Sequence, residues 1–157
     1  PTRGVKELVE ALELTDAQLE LAGSFSPQEF EQEIKALKGW SQVNYLGQVN
    51  REKIMDILQS SVAGIVTLHP TRSYVEALPI KLFEYMSAGI PVVASDFPMW
   101  RAIVDDAKCG IYVDPMNPKE IAYAINTLIE NPDIANVMGE NGRKAYLEKY
   151  NWNAQEK

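Results

Sequence analysis

Two glutamates, Glu76 and Glu84, stand on either side of a proline in the stretch His69-Pro70-Thr71-Arg72-Ser73-Tyr74-Val75-Glu76-Ala77-Leu78-Pro79-Ile80-Lys81-Leu82-Phe83-Glu84. Proline is favoured at the first position of a helix, where its missing N–H removes no hydrogen bond, so Pro79 predicts a helix start. The backbone N–H groups around Ala77, Leu78 and Ile80 would then lack helical partners and lie at the positive end of the helix dipole, a place where a diphosphate can dock. Eight helical steps would separate the two carboxylates by about 12 Å, the length scale of a nucleotide sugar. Carboxylates accept hydrogen bonds from vicinal hydroxyls, so a sugar at one end and a ribose at the other fit their chemistry. The same spacing also describes two solvated glutamates with a Lys81–Glu84 pair at i,i+3. The residues alone leave both readings open.

Other chemistry is narrower. Cys109 is the only cysteine and His69 the only histidine, which excludes an internal disulfide, a thiolate zinc cluster and a two-histidine metal site. No Asp-x-Asp pair is present to hold a divalent ion. His69 lies close to the expected site, but a lone histidine reads more simply as structural, and Cys109 as a small residue beside a turn. Arg72 and Lys81 can add positive charge near a phosphate. Trp40, Trp100 and Trp152 read as packing residues.

These side chains need a frame, and the alternation of hydrophobic periods supplies one. Val5, Leu8, Val9 and Leu12 recur at helical spacing. Strands are expected at residues 18–23, 43–46, 62–68, 91–95 and 110–113, most of them closed by glycine or proline. Between them, Ser26-Pro27-Gln28-Glu29 reads as a capping box, Asn50 as an N-cap, and residues 79–88 as a helix stopped by Gly89. Further helices are expected at residues 99–104, 118–129 and 133–150, the last weakened or broken by Gly139 and Gly142. Residues 62–68 show no polar alternation, as expected for a strand covered on both faces. The pattern selects a doubly wound parallel α/β sheet with helices on both faces. Ligands in such sheets bind beyond the carboxyl ends of the strands, where the Glu76 loop falls.

Composition agrees with one folded domain. The chain has 157 residues, 46% hydrophobic and 24% charged, with a net charge of -7. The acidic balance argues against nucleic acid as a partner. No run of about 18 apolar residues occurs, and the first residues do not resemble a signal peptide, so a cytoplasmic setting is expected. The chain opens on a loop and helix where this fold usually opens on a strand. It is therefore expected to belong to a longer protein or to want a first strand.

The run from Glu76 through Glu84 to Gly89-Ile90-Pro91-Val92-Val93-Ala94-Ser95 resembles the carboxy-terminal, donor-binding domain of retaining GT-B glycosyltransferases, specifically glycosyltransferase family 4. Tyr45-Leu46-Gly47-Gln48-Val49, Gly110-Ile111-Tyr112-Val113-Asp114-Pro115, the helix after Asn117 and Tyr150-Asn151-Trp152 extend the resemblance over most of the chain. It implies a Rossmann-like half of a two-domain enzyme, with residues 1–157 as the nucleotide-sugar-binding domain and the acceptor domain elsewhere. It also implies that Glu76 holds the donor sugar and is the candidate catalytic residue, while Glu84 holds the ribose. The amides of Ala77, Leu78 and Pro79 would face the diphosphate, and the Gly47, Gln48, Val49 loop the base. Arg3 stands where the family has a diphosphate-binding lysine, with Lys81 adding charge; Ala77 stands where glycine is common. The implied reaction transfers a sugar from a nucleoside diphosphate to an acceptor glycan or lipid-linked sugar in polysaccharide assembly. It needs no metal or other cofactor, and the full-length protein would touch the membrane peripherally. The competing readings are a sugar-nucleotide epimerase of related architecture and a non-catalytic receiver-like module.

Overall fold

The computed structural model describes residues 3–23, 28–77 and 80–150. Their order is α1 (Val5–Leu12), β1 (Leu19–Ala22), α2 (Gln28–Lys35), a 3-10 turn (Lys38–Gln42), β2 (Val43–Gly47), α3 (Arg51–Ser60), β3 (Gly64–Val66), α4 (Arg72–Val75), α5 (Ile80–Ala88), β4 (Val92–Ser95), α6 (Pro98–Ala107), β5 (Gly110–Val113), α7 (Pro118–Glu130), α8 (Pro132–Ala145) and a π-helical turn (Tyr146–Tyr150). All strand pairs are parallel. β1 pairs with β2, and β4 lies between β3 and β5. The expected single sheet is thus divided in two: among the described residues no strand hydrogen-bonds β1 to β3.

The expectation of helices on both faces holds, and β4 shows why. All four of its residues are buried. Val93 joins one apolar cluster with Leu8 and Ala11 of α1, Val113, and Ile121 and Leu128 of α7. Val92 and Ala94 join the other, with Leu82 and Met86 of α5 and Trp100 and Val104 of α6. Successive strand residues point to opposite faces, so an uninterrupted apolar run packs helices on both sides.

Local signals place most helix ends. The Asn50 side chain accepts from the Lys53 N–H at 2.8 Å, and the Asn117 side chain accepts from the Lys119 and Glu120 N–H groups. Pro98, Pro118 and Pro132 open their helices, and Gly89 ends α5 at a φ of 77° that favours glycine. The capping box expected at Ser26 lies largely outside the described residues, as does Trp152.

Several bounds differ from expectation. The strand expected at 62–68 is only Gly64–Val66, because the chain leaves the sheet to pack against α1. The helix expected at 99–104 runs from Pro98 to Ala107. Gly139 and Gly142 do not break α8. A Cβ on Gly139 would sit 2.2 Å from the Gly89 carbonyl oxygen, and one on Gly142 would sit 3.0 Å from the Cys109 Cβ. The two glycines let α8 lie against the end of α5 and the start of β5.

Gly139→Ala distinguishes that packing role from a mere helix weakness. Alanine alone would stabilise a helix interior by about 1 kcal/mol. The clash with backbone should instead lower stability by about 1–3 kcal/mol, read as a lower denaturation midpoint in urea. A raised midpoint would refute the packing account.

Candidate functional site

The carboxyl ends of the strands carry the candidate residues. After β3 the chain turns through His69 and Pro70 into α4, whose start is capped by Thr71: its Oγ1 accepts from the Tyr74 N–H at 3.2 Å. This segment is tied to the sheet at two further points. Ser95 Oγ donates to the Leu68 carbonyl at 2.7 Å, and Trp100 Nε1 donates to the Ala77 carbonyl at 3.2 Å. Trp100 is therefore a packing residue, as expected, that also holds the loop.

The α4 turn corrects the simplest picture of the two glutamates. Glu76 follows α4 and Glu84 lies within α5, so the pair does not sit along a single helix at the expected rise. Glu76 is exposed and lies 3.7 Å from Arg72 at i,i+4, which spends the Arg72 charge on the loop itself. The Ala77 N–H expected to be free donates to the Tyr74 carbonyl at 3.2 Å, because α4 ends in a hydrogen-bonded turn. Leu78 and Pro79 lie outside the described residues. Lys81 is exposed in the first turn of α5.

Glu84 finds a partner the sequence did not suggest. Its carboxylate lies 3.8 Å from Arg51 Nη1, at the start of α3, in place of the expected Lys81 pair. Arg51 follows in the chain on Gly47, Gln48, Val49 and Asn50, the first three of which form the expected base loop. Gly47 adopts a φ of 65° and its carbonyl accepts from the Gly23 N–H, which turns the chain out of β2. Between α3 and α5 lies a cleft of about 290 Å³ lined by Arg51, Met55, Ile80, Phe83 and Glu84 among others. One signal could have marked Arg51: a cation at the first position of a helix opposes the dipole.

Arg3 and His69 belong to two segments that meet at a second place, the start of α1 and the end of β3. Gly4 has a φ of 79°, and a Cβ there would lie 1.9 Å from the Thr67 carbonyl oxygen, so the start of α1 rests on the end of β3. Arg3 is exposed beside it. His69 Nε2 pairs with the Glu7 carboxylate from the same helix, a partnership hidden in sequence because Glu7 lies beside apolar Leu8 and Val9.

Two further groups are held inert. Burial pushes the Cys109 thiol up to about 11. Burial, with a smaller contribution from the Glu84 charge, pushes the Tyr85 phenol up to about 12, while its OH donates to the Ile65 carbonyl at 3.2 Å. Among the described residues no group of three or more His, Cys, Asp or Glu is placed to hold a metal ion, and no helix is long and apolar enough to cross a membrane.

A family described as Glycosyl transferases group 1 matches residues 1–145. The chain belongs to that family. It is 29% identical over 149 residues to the D-rhamnosyltransferase WbpZ of Pseudomonas aeruginosa, covering 94% of this chain and 38% of that protein. Among solved structures it resembles sucrose-phosphate synthase from Thermosynechococcus elongatus, with a TM-score of 0.84 and 25% identity over 98% of this chain and 39% of that one. It also shares its fold with HepE of Anabaena, solved in complex with UDP-glucose, with a TM-score of 0.77 and 23% identity over 96% of this chain and 42% of that one. The chain thus spans well under half the length of such relatives. These likenesses establish the Rossmann-like α/β fold of the GT-B carboxy-terminal domain, and membership of the family displaces the receiver-like reading.

Tyr85 gives this group 1 glycosyltransferase domain an alkaline limit. Its folded value of about 12 lies above the ordinary value of about 10, so its contribution to stability is complete below about pH 10 and is lost as pH rises towards 12. Urea melts between about pH 9 and 11 should show stability falling, and Tyr85→Phe should flatten part of that fall. Tyr150, also raised to about 12, and Cys109, raised to about 11, keep the rest. An unchanged slope in Tyr85→Phe would disprove the assignment.

Proposed function

We propose that this chain is the donor-binding domain of a retaining glycosyltransferase of the family 4 kind, acting on a nucleoside diphosphate sugar. The observation that carries the reading is the approach of Arg51, which follows the Gly47–Val49 loop in the chain, to Glu84 across the cleft between α3 and α5. A carboxylate opposite a strand-end loop at the edge of a cleft suits a ribose with its base alongside. Glu76, in the turn after α4, is the candidate for the transferred sugar. Arg3 at the start of α1 and Lys81 at the start of α5 are candidates for the diphosphate. HepE, of the same fold, supports the class of donor through its complex with UDP-glucose.

In the proposed reaction the bond between the sugar C1 and the diphosphate oxygen breaks, and a bond from C1 to an acceptor oxygen forms on the same face. The acceptor proton leaves with the diphosphate. Negative charge grows on the leaving oxygens, and Arg3, Lys81 and the unpaired N–H groups of α5 would stabilise it there. That work needs no bound metal. The acceptor, a glycan or lipid-linked sugar in polysaccharide assembly, would be held by the part of the protein beyond this domain. The setting proposed for the full-length protein is cytoplasmic, with peripheral contact at a membrane.

Calorimetry with a panel of nucleoside diphosphates and their sugars tests the reading. Binding should persist with a chelator present, and no binding by any of them would refute the proposal. Glu84→Ala should weaken plain diphosphate and sugar conjugate alike, by about 1.5–3 kcal/mol, or roughly 10- to 150-fold. Glu76→Ala should spare the diphosphate and weaken only the conjugate. Neither change should move stability by more than about 0.5 kcal/mol, because Glu76 is exposed and Glu84 only partly covered. The chain by itself should transfer no sugar, since transfer needs donor and acceptor held in reacting geometry. Turnover by the purified chain would place the acceptor site within it.

A further inference from the structure

Glu7 is the most anomalous charge in the described chain. Its side chain is only 9% exposed, Oε1 pairs with His69 Nε2, and Oε2 is sealed from solvent without a partner. A buried carboxylate is costly unless something compensates it. His69 is the one described side chain hydrogen-bonded to it, through Nε2, and that contact fixes the orientation of the ring. The other ring nitrogen, Nδ1, has no partner among the described residues, and it is not sealed as Glu7 Oε2 is. It is the part of the ring left to meet a ligand.

The place is the ligand side of the sheet. His69 lies just beyond β3, on the carboxyl end, where the start of α1 rests on Thr67 through Gly4. The first N–H groups of α1 have no helical acceptors, and Arg3 stands exposed beside them. Helix amides, a guanidinium and a ring nitrogen without a partner among the described residues suit an anion. Of the neighbouring charges on α1, Lys6 pairs with Glu33 of α2 at 2.9 Å, while in the next turn Arg72 and Glu76 lie 3.7 Å apart.

We infer that His69 contacts the diphosphate of the donor through Nδ1, and that Glu7 is the positioning residue that holds Nε2 and keeps the ring turned towards it. This rests on the nucleoside diphosphate reading above and adds a residue pair to it. It also gives the buried carboxylate a purpose: Glu7 sits behind the ring, where it fixes the imidazole in place without touching the bound anion.

Because His69 is the only histidine in the sequence, its ring resonances can be followed by NMR without ambiguity. Titrating the unaltered chain with the nucleoside diphosphate that binds it should move both ring nitrogen resonances, saturating at the affinity that calorimetry gives. The matching nucleoside, lacking phosphate, should leave them in place. His69→Asn should weaken the diphosphate roughly 10- to 150-fold. Glu7→Gln should weaken it in the unaltered background but cause no further loss beside His69→Asn. Calorimetric binding of a diphosphate with unmoved ring resonances would overturn the inference and leave the donor reading standing. Movement only with the sugar conjugate would also overturn it, assigning Nδ1 to a sugar hydroxyl. Binding by no nucleoside diphosphate would overturn both. The resonance experiment needs no variant, so a Glu7 or His69 substitution that fails to fold does not spare the inference.

Discussion

The rest of the domain depends on β4 being buried on both faces and hydrogen-bonded along both edges. Val92, Val93, Ala94 and Ser95 have no exposure to spare, so every element that touches them must approach closely. Glycine makes the approach possible. A Cβ on Gly110 would lie 2.1 Å from the Val92 carbonyl oxygen, and one on Gly64 would lie 2.3 Å from the Tyr85 ring. With β3 and β5 drawn in, α5 and α6 close one face while α1 and α7 close the other. Burial of this kind supplies most of the favourable free energy of folding, and it leaves the carboxyl ends of the strands as the place where polar groups can gather.

The polar groups gather in two arrangements with different physics. Arg51 and Glu84 form an exposed, loose pair at 3.8 Å, worth little to stability and easily opened by a ligand with hydroxyl groups. His69 and Glu7 form a largely buried pair in which one carboxylate oxygen has no partner, a configuration that stability alone does not favour. The first pair belongs to the rim of a cleft between two helices. The second belongs to the seam where α1 meets the end of β3. Between them runs the turn of Arg72 and Glu76, fastened from behind by Trp100 and Ser95, so the loop that carries Glu76 hangs from the core itself.

Local chemistry along the chain determined the fold class and most element ends, because these rest on short-range causes: hydrophobic period, proline at helix starts, asparagine caps, and glycine where φ is positive. Gly89, Asn50 and Pro118 were legible for that reason, and the resemblance around Glu76 and Glu84 pointed to a glycosyltransferase, which membership of the group 1 family bears out. Tertiary structure alone decided which charges distant in the chain meet. Arg51 and Glu84 are far apart in sequence, as are Glu7 and His69, and no local rule selects such partners. It also decided that Gly139 and Gly142 serve close packing rather than helix breaking, and that the Ala77 amide is spent in the α4 turn. Period and propensity act within a few residues, whereas electrostatic pairing and steric fit depend on distances that exist only once the chain has packed.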